Sequence, residues 1–243
     1  MPLEWTAEGT VVVPNFTPSD LASIWDWWEP SREGLADTDP IATLTGQVAP
    51  GAGHNFTQGT LANRPTYKAN QLNGLGIADF LNGVDADYMI GVDPSALTAA
   101  HLFIVIKADA DPPGTSIVPW KFGTSASPDH YPFTDSKFYC GACSTSRRDC
   151  TNPAAALTSW RVVEVISTAT EYTVKLDGTQ LFTSGTNTVG ITNSCVLGAS
   201  STTGNNPWAG EFAGIYLCSA KLSAGDRTDM IGYLNTRFAL SSS

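Results

Sequence analysis

Two groups of residues in this chain have the types and spacing of a binding site. The first is Asn82, Asp85 and Asp87, which place one amide and two carboxylates close together along the chain. Calcium prefers oxygen ligands from carboxylates, amides and backbone carbonyls. This segment is therefore a candidate calcium site. The alternative is that it only builds a turn, a role for which Asn, Gly and Asp are also favoured.

The second group combines aromatic rings with side-chain amides. His130 and Tyr131 lie in one loop-like stretch, and Asn205, Asn206 and Trp208 lie in another. Aromatic faces beside a few hydrogen-bonding groups are typical of small-molecule sites, sugars included. Loops at one end of a rigid scaffold commonly carry binding. We therefore predict that these five residues bind a ligand, with the alternative that Trp208 only covers the core.

The residue patterns of a hydrolase are missing from the sequence. Glycoside hydrolysis needs two carboxylates on either side of the scissile bond, but Glu164 stands among valines with no acidic residue two or four positions later. The three histidines are His54, His101 and His130, and no serine lies in a Gly-x-Ser-x-Gly context. We predict no catalytic residue, and we expect Glu164 to be partly buried or paired.

The cysteines are five in number and therefore cannot all pair within the chain. Cys140, Cys143 and Cys150 would give three zinc ligands, but a structural zinc site usually takes four, as two close pairs. A local disulfide within this cluster is the alternative. Cys195 and Cys218 lie in apolar, strand-like runs and are predicted to be small core residues.

Charge and hydropathy exclude two classes of partner. The net charge is -10, with 13 basic and 23 acidic residues. Nucleic-acid binding requires clustered basic residues, and the one adjacent basic pair is Arg147–Arg148. An uninterrupted apolar run of about 20 residues, as a membrane-spanning helix requires, is also absent. We therefore expect neither nucleic-acid binding nor membrane insertion.

Short strands are the elements that must position the candidate residues. The run His101–Lys107 is almost wholly apolar, as expected of a central strand buried on both faces. Glu171–Leu176 alternates polar and apolar residues, and Asp177-Gly178 predicts a tight hairpin into Thr179–Thr183. Many short strands with glycine-rich turns predict an all-β sandwich or jelly roll.

Two helices are predicted at the ends of the chain. Thr17 as N-cap and Pro18 in the first turn predict a short helix that continues to Trp28. Ser223 is the predicted N-cap of a C-terminal helix, with Asp226 in its first turn. Its apolar stripe is Met230, Ile231, Leu234 and Phe238. With no break in composition, we expect residues 1–16 to be an arm or edge strand and residues 17–243 to be one domain.

Several segments over about residues 62–240 resemble the laminin-G-like, concanavalin A-like family. They are Ala62–Leu75 with its Asn-Arg-Pro-Thr-Tyr and Leu-Asn-Gly phrases, Phe80–Met89, Tyr172–Thr183, Trp208–Tyr216 and Leu222–Leu234. The resemblance implies a jelly-roll β-sandwich of two antiparallel sheets with a short N-terminal and a C-terminal helix. It also implies a calcium ion at the rim of the sandwich. The family hosts lectins, adhesion modules, glycosidase accessory domains and viral structural proteins, so function stays open.

Two further stretches, Asp129–Asp135 and Ser144–Arg148, resemble phrases of phage and environmental versions of this domain. The first hypothesis is therefore a non-enzymatic virion module: a capsid decoration, fibre or spike protein made in the host cytoplasm. Its partners would be other virion proteins, copies of itself, or host surface glycans. A standalone extracellular bacterial lectin is the alternative, and a glycoside hydrolase is a third possibility.

Overall fold

The computed structural model describes residues 16–48, 54–81, 83 and 86–242, together with the backbone of two strands at 4–5 and 11–12. In chain order the strands are β1 (Glu4–Trp5), β2 (Val11–Val12), β3 (Ile24–Trp28), β4 (Thr43–Leu44), β5 (Phe56–Thr57), β6 (Thr66–Leu72), β7 (Leu75–Phe80), β8 (Met89–Ile90), β9 (Ala100–Ala108), β10 (Trp120–Gly123), β11 (Tyr139–Cys140), β12 (Arg148–Asp149), β13 (Arg161–Thr168), β14 (Glu171–Leu176), β15 (Thr179–Ser184), β16 (Ile191–Leu197) and β17 (Gly210–Cys218). The α-helix α1 is Ala224–Phe238.

The strands form two main antiparallel sheets, as predicted for a jelly-roll sandwich. The large sheet has the order β15-β14-β13-β9-β17-β7-β6, and β3 pairs with the C-terminal half of β17. The small sheet has the order β10-β16-β8-β5-β4. Two short ribbons, β1–β2 and β11–β12, complete the pairing of the described strands.

The main core lies between the two sheets, and β9 shows why its sequence is apolar throughout. Leu102, Ile104 and Ile106 of β9 belong to the core between the sheets. Phe103 and Val105 belong to a second apolar cluster on the outer face of the large sheet. Both faces of β9 are therefore buried, which confirms the prediction for this strand.

Helix α1 covers that outer face of the large sheet. Its predicted stripe of Met230, Ile231, Leu234 and Phe238 is buried. The Ser223 hydroxyl accepts a hydrogen bond of 3.1 Å from the backbone N–H of Asp226, which confirms the predicted N-cap. Within the described residues, no helix is long and apolar enough to cross a membrane.

A buried carboxylate fastens the C-terminal half of α1 to the sheet. Glu29 is fully buried and accepts hydrogen bonds from the hydroxyls of Tyr216 and Tyr233, at 2.7 and 2.6 Å. It also pairs with Arg32, at 3.1 Å, and with Arg237 of α1, at 2.8 Å. The carboxylate is thus matched by two cations and two hydroxyl donors, as a buried charge requires.

The predicted N-terminal helix is wrong. The structure has only a single 3₁₀ turn at Pro18–Asp20, and the following segment Ile24–Trp28 is the strand β3. Aromatic and β-branched side chains favour strands, and pairing with β17 satisfies the backbone of this segment. Trp28 packs between the sheets and Trp27 packs on the helix side. The two neighbouring tryptophans therefore belong to two different apolar layers, as successive residues of a strand do.

The predicted arm at residues 1–16 lies mostly outside the described residues. Within it, β1 and β2 pair with each other in antiparallel fashion. Between residues 29 and 75, β6 forms the edge of the large sheet beside β7.

Candidate functional site

A cavity of about 270 Å³ opens beside the edge strand β10. It lies between the loop that follows β10 and the loop that joins β16 to β17. Its lining includes Trp120, Lys121, Ser125, Ser127, Asp129 and Asn206. The volume is near the lower end of the roughly 300–1,000 Å³ that small-molecule sites occupy.

Asp129 places a buried carboxyl group in this cavity. Only 5% of the residue is exposed, and one carboxyl oxygen accepts a hydrogen bond from the backbone N–H of Gly141. Burial raises the pKa of Asp129 to about 7, against the opposing effects of Gly141, the Trp120 indole and the charge of Arg147. The group therefore passes between donor and acceptor forms near neutral pH.

Trp120 contributes a second buried polar group. Its ring is fully buried and packs near Tyr131 and Phe138, with centroid distances of 6.2 Å to each. The indole Nε1 makes no hydrogen bond of normal geometry among the described residues, but it faces the Asp129 carboxyl closely enough to lower the pKa of that group. Buried indole N–H groups usually have a partner, and the Asp129 carboxyl is the acceptor that this one faces.

Asn206 and Lys121 complete the polar wall. Asn206 is exposed and has the left-handed backbone conformation, with φ of 52°. Its backbone carbonyl accepts a hydrogen bond of 3.0 Å from Val118, which holds its loop against the segment that enters β10. Lys121 is half-buried, and no carboxylate lies within ion-pair distance of it among the described residues.

Three of the predicted ligand-binding residues lie beneath the cavity, in the core. His130 is 2% exposed, and its Nδ1 lies 2.8 Å from the carbonyl of Ile117, to which it must donate. Tyr131 and Trp208 are fully buried, and the indole of Trp208 donates to the backbone carbonyl of Tyr131. Burial gives these three a role in positioning the loops, and their contact with a ligand stays a prediction.

The two predicted amides lie at the surface. Asn205 and Asn206 are both exposed, and Asn206 lines the cavity. Sequence reasoning missed Asp129, Trp120 and Lys121. The available signal was a carboxylate directly before His130, in the same loop that we had selected.

The predicted calcium residues lie only partly within the described structure. Asp87 is only 5% exposed. Its carboxylate accepts a hydrogen bond of 2.9 Å from the backbone N–H of Leu81. The backbone N–H of Asp87 in turn donates a hydrogen bond of 3.0 Å to the carbonyl of Leu81. This is the turn chemistry that we gave as the alternative. Asn82 and Asp85 lie outside the described residues. The described residues contain no group of three or more His, Cys, Asp or Glu that could hold a metal, and the calcium site stays a prediction.

The cysteines are all free and buried, which removes the predicted alternatives of a local disulfide and a zinc site. Burial raises the pKa of the Cys150 and Cys218 thiols to about 12 and that of the other three thiols well above their usual value. All five therefore stay protonated and unreactive at neutral pH. The prediction that Cys195 and Cys218 are core residues is confirmed.

Glu164 is buried and paired, as predicted. It accepts hydrogen bonds from both Nε and Nη2 of Arg227 at 2.7 Å, and Lys175 lies 3.3 Å away. The Leu222 N–H donates to Nδ1 of His101, so the imidazole proton is on Nε2 and donates to Glu164 at 3.0 Å. Burial opposes ionisation, but the hydrogen bonds from His101 and Arg227 outweigh it and lower the pKa of Glu164 to about 2. A carboxylate held this way is a structural anchor.

Comparisons with known proteins bear on the fold. No protein-family model and no curated protein matches the chain. Among solved structures, 97% of the chain matches 36% of a Trypanosoma rangeli sialidase in complex with sialic acid, with a TM-score of 0.56 and 11% identity. A second match is the binding domain of botulinum neurotoxin DC in complex with SialylT. This match covers 89% of the present chain and 52% of the neurotoxin domain, with a TM-score of 0.54 and 10% identity.

A third structure matches along almost its whole length. It is domain 4 of AbnA, a GH43 extracellular arabinanase from Geobacillus stearothermophilus, in complex with arabinotriose. The match covers 98% of that domain and 86% of this chain, with a TM-score of 0.54 and 13% identity. The chain thus spans about a third of the sialidase and half of the neurotoxin domain. At such low identities these similarities show the fold alone. The chain is a jelly-roll β-sandwich of two antiparallel sheets.

Proposed function

We propose that this chain is a non-enzymatic glycan-binding module and that the cavity beside β10 is its sugar site. One observation carries the proposal: Asp129, a buried carboxyl group whose pKa is raised to about 7, lines an open cavity together with the polar residues Lys121 and Asn206. A sugar hydroxyl would donate to this carboxyl when it is ionised and accept from it when it is protonated. The hydroxyls of Ser125 and Ser127 and the amide of Asn206 add further polar groups to the lining.

The compared structures support a sugar as the ligand class. Their titles record sialic acid in the sialidase, SialylT with the neurotoxin domain and arabinotriose with the arabinanase domain. Those ligands belong to those proteins. They make a saccharide the first class of ligand to test on this one.

We propose binding without turnover because the described lining of the cavity has a single carboxyl group. Hydrolysis by the usual mechanism requires two carboxyl groups across the scissile bond. Asp129 is the one acidic residue among the described residues that line this cavity. We therefore expect no release of sugar from any glycan that binds.

A finer proposal is that the module serves attachment in a virion. The two stretches that resemble phage versions of the domain lie near each other, because Arg147 Nη1 donates a hydrogen bond of 3.0 Å to the carbonyl of Pro128, the residue before Asp129. Such modules gain avidity through repetition, so we expect a homo-oligomer or docking on another virion protein. A monomer with soluble glycan binding would favour the alternative, an extracellular bacterial lectin.

A glycan array with a blocked cavity tests the proposal. Ser127→Trp places a large ring at the exposed lining, and Thr202→Trp places the same ring on an exposed residue of the β16–β17 loop that does not line the cavity. We expect saturable binding to a few glycans, lost in Ser127→Trp and kept in Thr202→Trp. No binding by the wild type, or binding unchanged by Ser127→Trp, would contradict the proposal. Repeating the array with a chelator tests the calcium prediction.

A further inference from the structure

We infer that the cavity selects an acidic saccharide, with the ligand carboxylate against Lys121 and the ring hydroxyls against Asp129 and the serine hydroxyls of the lining. This inference rests on the proposed function and adds the ligand class. It predicts that affinity depends on the charge of the sugar and on pH. Both dependences follow from the charged groups that line or adjoin the cavity.

Lys121 is the first such group, because it differs from every other lysine of the chain. Each of the others has a carboxylate partner within 4.0 Å: Lys68, Lys107, Lys137, Lys175 and Lys221. Lys121 has none among the described residues, although the chain has 23 acidic residues and a net charge of -10. It is half-buried and lines the cavity. An ammonium held without a counter-charge in a concave site attracts an anionic group.

Arg147 adds a second positive charge beside the cavity. Its guanidinium donates to the Pro128 carbonyl and lies 4.6 Å from the centre of the Tyr139 ring, so it is fixed in place. It has no carboxylate partner within ion-pair distance in the described part of the chain. The field of Arg147 acts on Asp129. Arg147 is thus the cation that acts on Asp129, and Lys121 is a second cation in the lining of the same cavity.

Asp129 is the group near the cavity that changes charge around neutral pH. It is faced by the Gly141 N–H, the Trp120 indole and the Arg147 guanidinium. The remaining titratable groups that interact with it are Cys140, Cys143, Cys150 and Tyr172. Burial raises the pKa of all four, so they stay neutral. The pKa of Asp129 itself is about 7.

The sign of the pH dependence follows from these charges. Below pH 7, Asp129 is neutral, can donate a hydrogen bond, and leaves the charge of Arg147 uncompensated. Above pH 7, its negative charge opposes an anionic ligand. Binding an acidic sugar therefore takes up a proton, and affinity falls by about tenfold between pH 6 and pH 8 if only the neutral form binds.

A saccharide fits better than a simple inorganic anion. Phosphate or sulfate would engage Lys121 and would leave most polar groups of the lining without a partner. A sugar acid carries a carboxylate for Lys121 and several hydroxyls. Those hydroxyls match the Ser125 and Ser127 hydroxyls, the Asn206 amide and the Asp129 carboxyl.

Calorimetric titration with matched oligosaccharides tests the inference. The probes are uronic-acid or sialylated oligosaccharides and their neutral counterparts, each at pH 6 and pH 8. The key variant is Lys121→Met, and the matched control is Lys137→Met, whose exposed lysine pairs with Asp149 outside the cavity lining. Asp129→Asn tests the pH dependence, because its amide cannot titrate.

We expect the wild type and Lys137→Met to bind the acidic probe at least tenfold more tightly than the neutral probe at pH 6. Lys121→Met should bind both equally, and Asp129→Asn should bind the acidic probe with the same affinity at both pH values. Equal wild-type affinity for both probes, or a preference that survives Lys121→Met, overturns the inference. Displacement of the acidic probe by inorganic phosphate alone also overturns it. Equal wild-type binding of the acidic and neutral probes, lost for both in Ser127→Trp, would overturn this inference and leave the proposed function standing.

Discussion

The indole nitrogen of Trp208 donates a hydrogen bond of 3.1 Å to the backbone carbonyl of Tyr131. Both residues are fully buried. The bond joins the loop that carries Asn206 to the loop that carries Asp129, and the cavity opens between these two loops. A contact in the core therefore helps to set the distance across the candidate binding site.

Trp208→Phe should destabilise the protein and loosen this site. The substitution removes the hydrogen bond to Tyr131 and part of a ring that packs 4.9 Å from Phe212. We expect a loss of about 2 kcal/mol in the free energy of unfolding, measured by urea denaturation. Thr202→Ala, at an exposed position, should stay within about 0.5 kcal/mol of the wild type. Equal losses in both variants would refute the role of Trp208.

Glu164→Gln should cost stability in a pH-dependent way. The variant leaves Arg227, Lys175 and His101 without their buried anion, and we expect a loss of roughly 3 kcal/mol at pH 7. The pKa of Glu164 falls from 4.5 to about 2 on folding. Its stabilisation is therefore complete above pH 4.5 and disappears as the pH falls toward 2.

Urea denaturation of the wild type and Glu164→Gln at pH 7, 4.5 and 2.5 measures this dependence. We expect the difference between the two proteins to shrink between pH 4.5 and 2.5. A difference that stays constant over this interval would show that ionised Glu164 is not its source.

Glu29→Gln should release the C-terminal half of α1. Glu29 pairs with Arg237 of the helix and accepts a hydrogen bond from Tyr233. Without the charge, amide hydrogen exchange in residues 224–238 should become faster while β9 stays protected. Glu33→Gln is the control, because Glu33 bonds Thr45 and not α1. Unchanged exchange in α1 would contradict this anchoring role.

The thiols should be silent in the folded protein. All five are buried and free, and burial holds their pKa values far above neutral pH. A thiol reagent at pH 7.5 should label none of them under native conditions and all five after denaturation. Rapid native labelling, or a mass that is two hydrogens short, would be inconsistent with this arrangement.

The fold was predictable where local pattern and tertiary environment agree. The apolar run of β9 and the N-cap at Ser223 both follow from residue type and spacing, and the structure confirms them. The strand at Ile24–Trp28 was not predictable from the sequence, because its apolar residues match helical spacing. Only its pairing with β17 selects a strand. The sequence of the edge strand β6 does not alternate clearly between polar and apolar residues, so it did not indicate a strand.

The site was predictable only in part, for a related reason. Loop composition led to Asn206, which lines the cavity. Composition could not show that Asp129 is buried against Gly141, or that the Trp120 indole faces it. These properties arise from contacts between segments that are distant along the chain, so they become visible only once the chain is folded.

The most direct test of the central claim is the indole N–H signal of Trp120 in a nitrogen–proton NMR spectrum during titration with a glycan that binds. Trp120→Phe assigns this signal, and the indoles of Trp28 and Trp208, which donate to His54 and Tyr131, serve as internal references. We expect the Trp120 signal to move to saturation with the glycan while the two references move little. A Trp120 signal that stays in place at saturating glycan would contradict binding in this cavity.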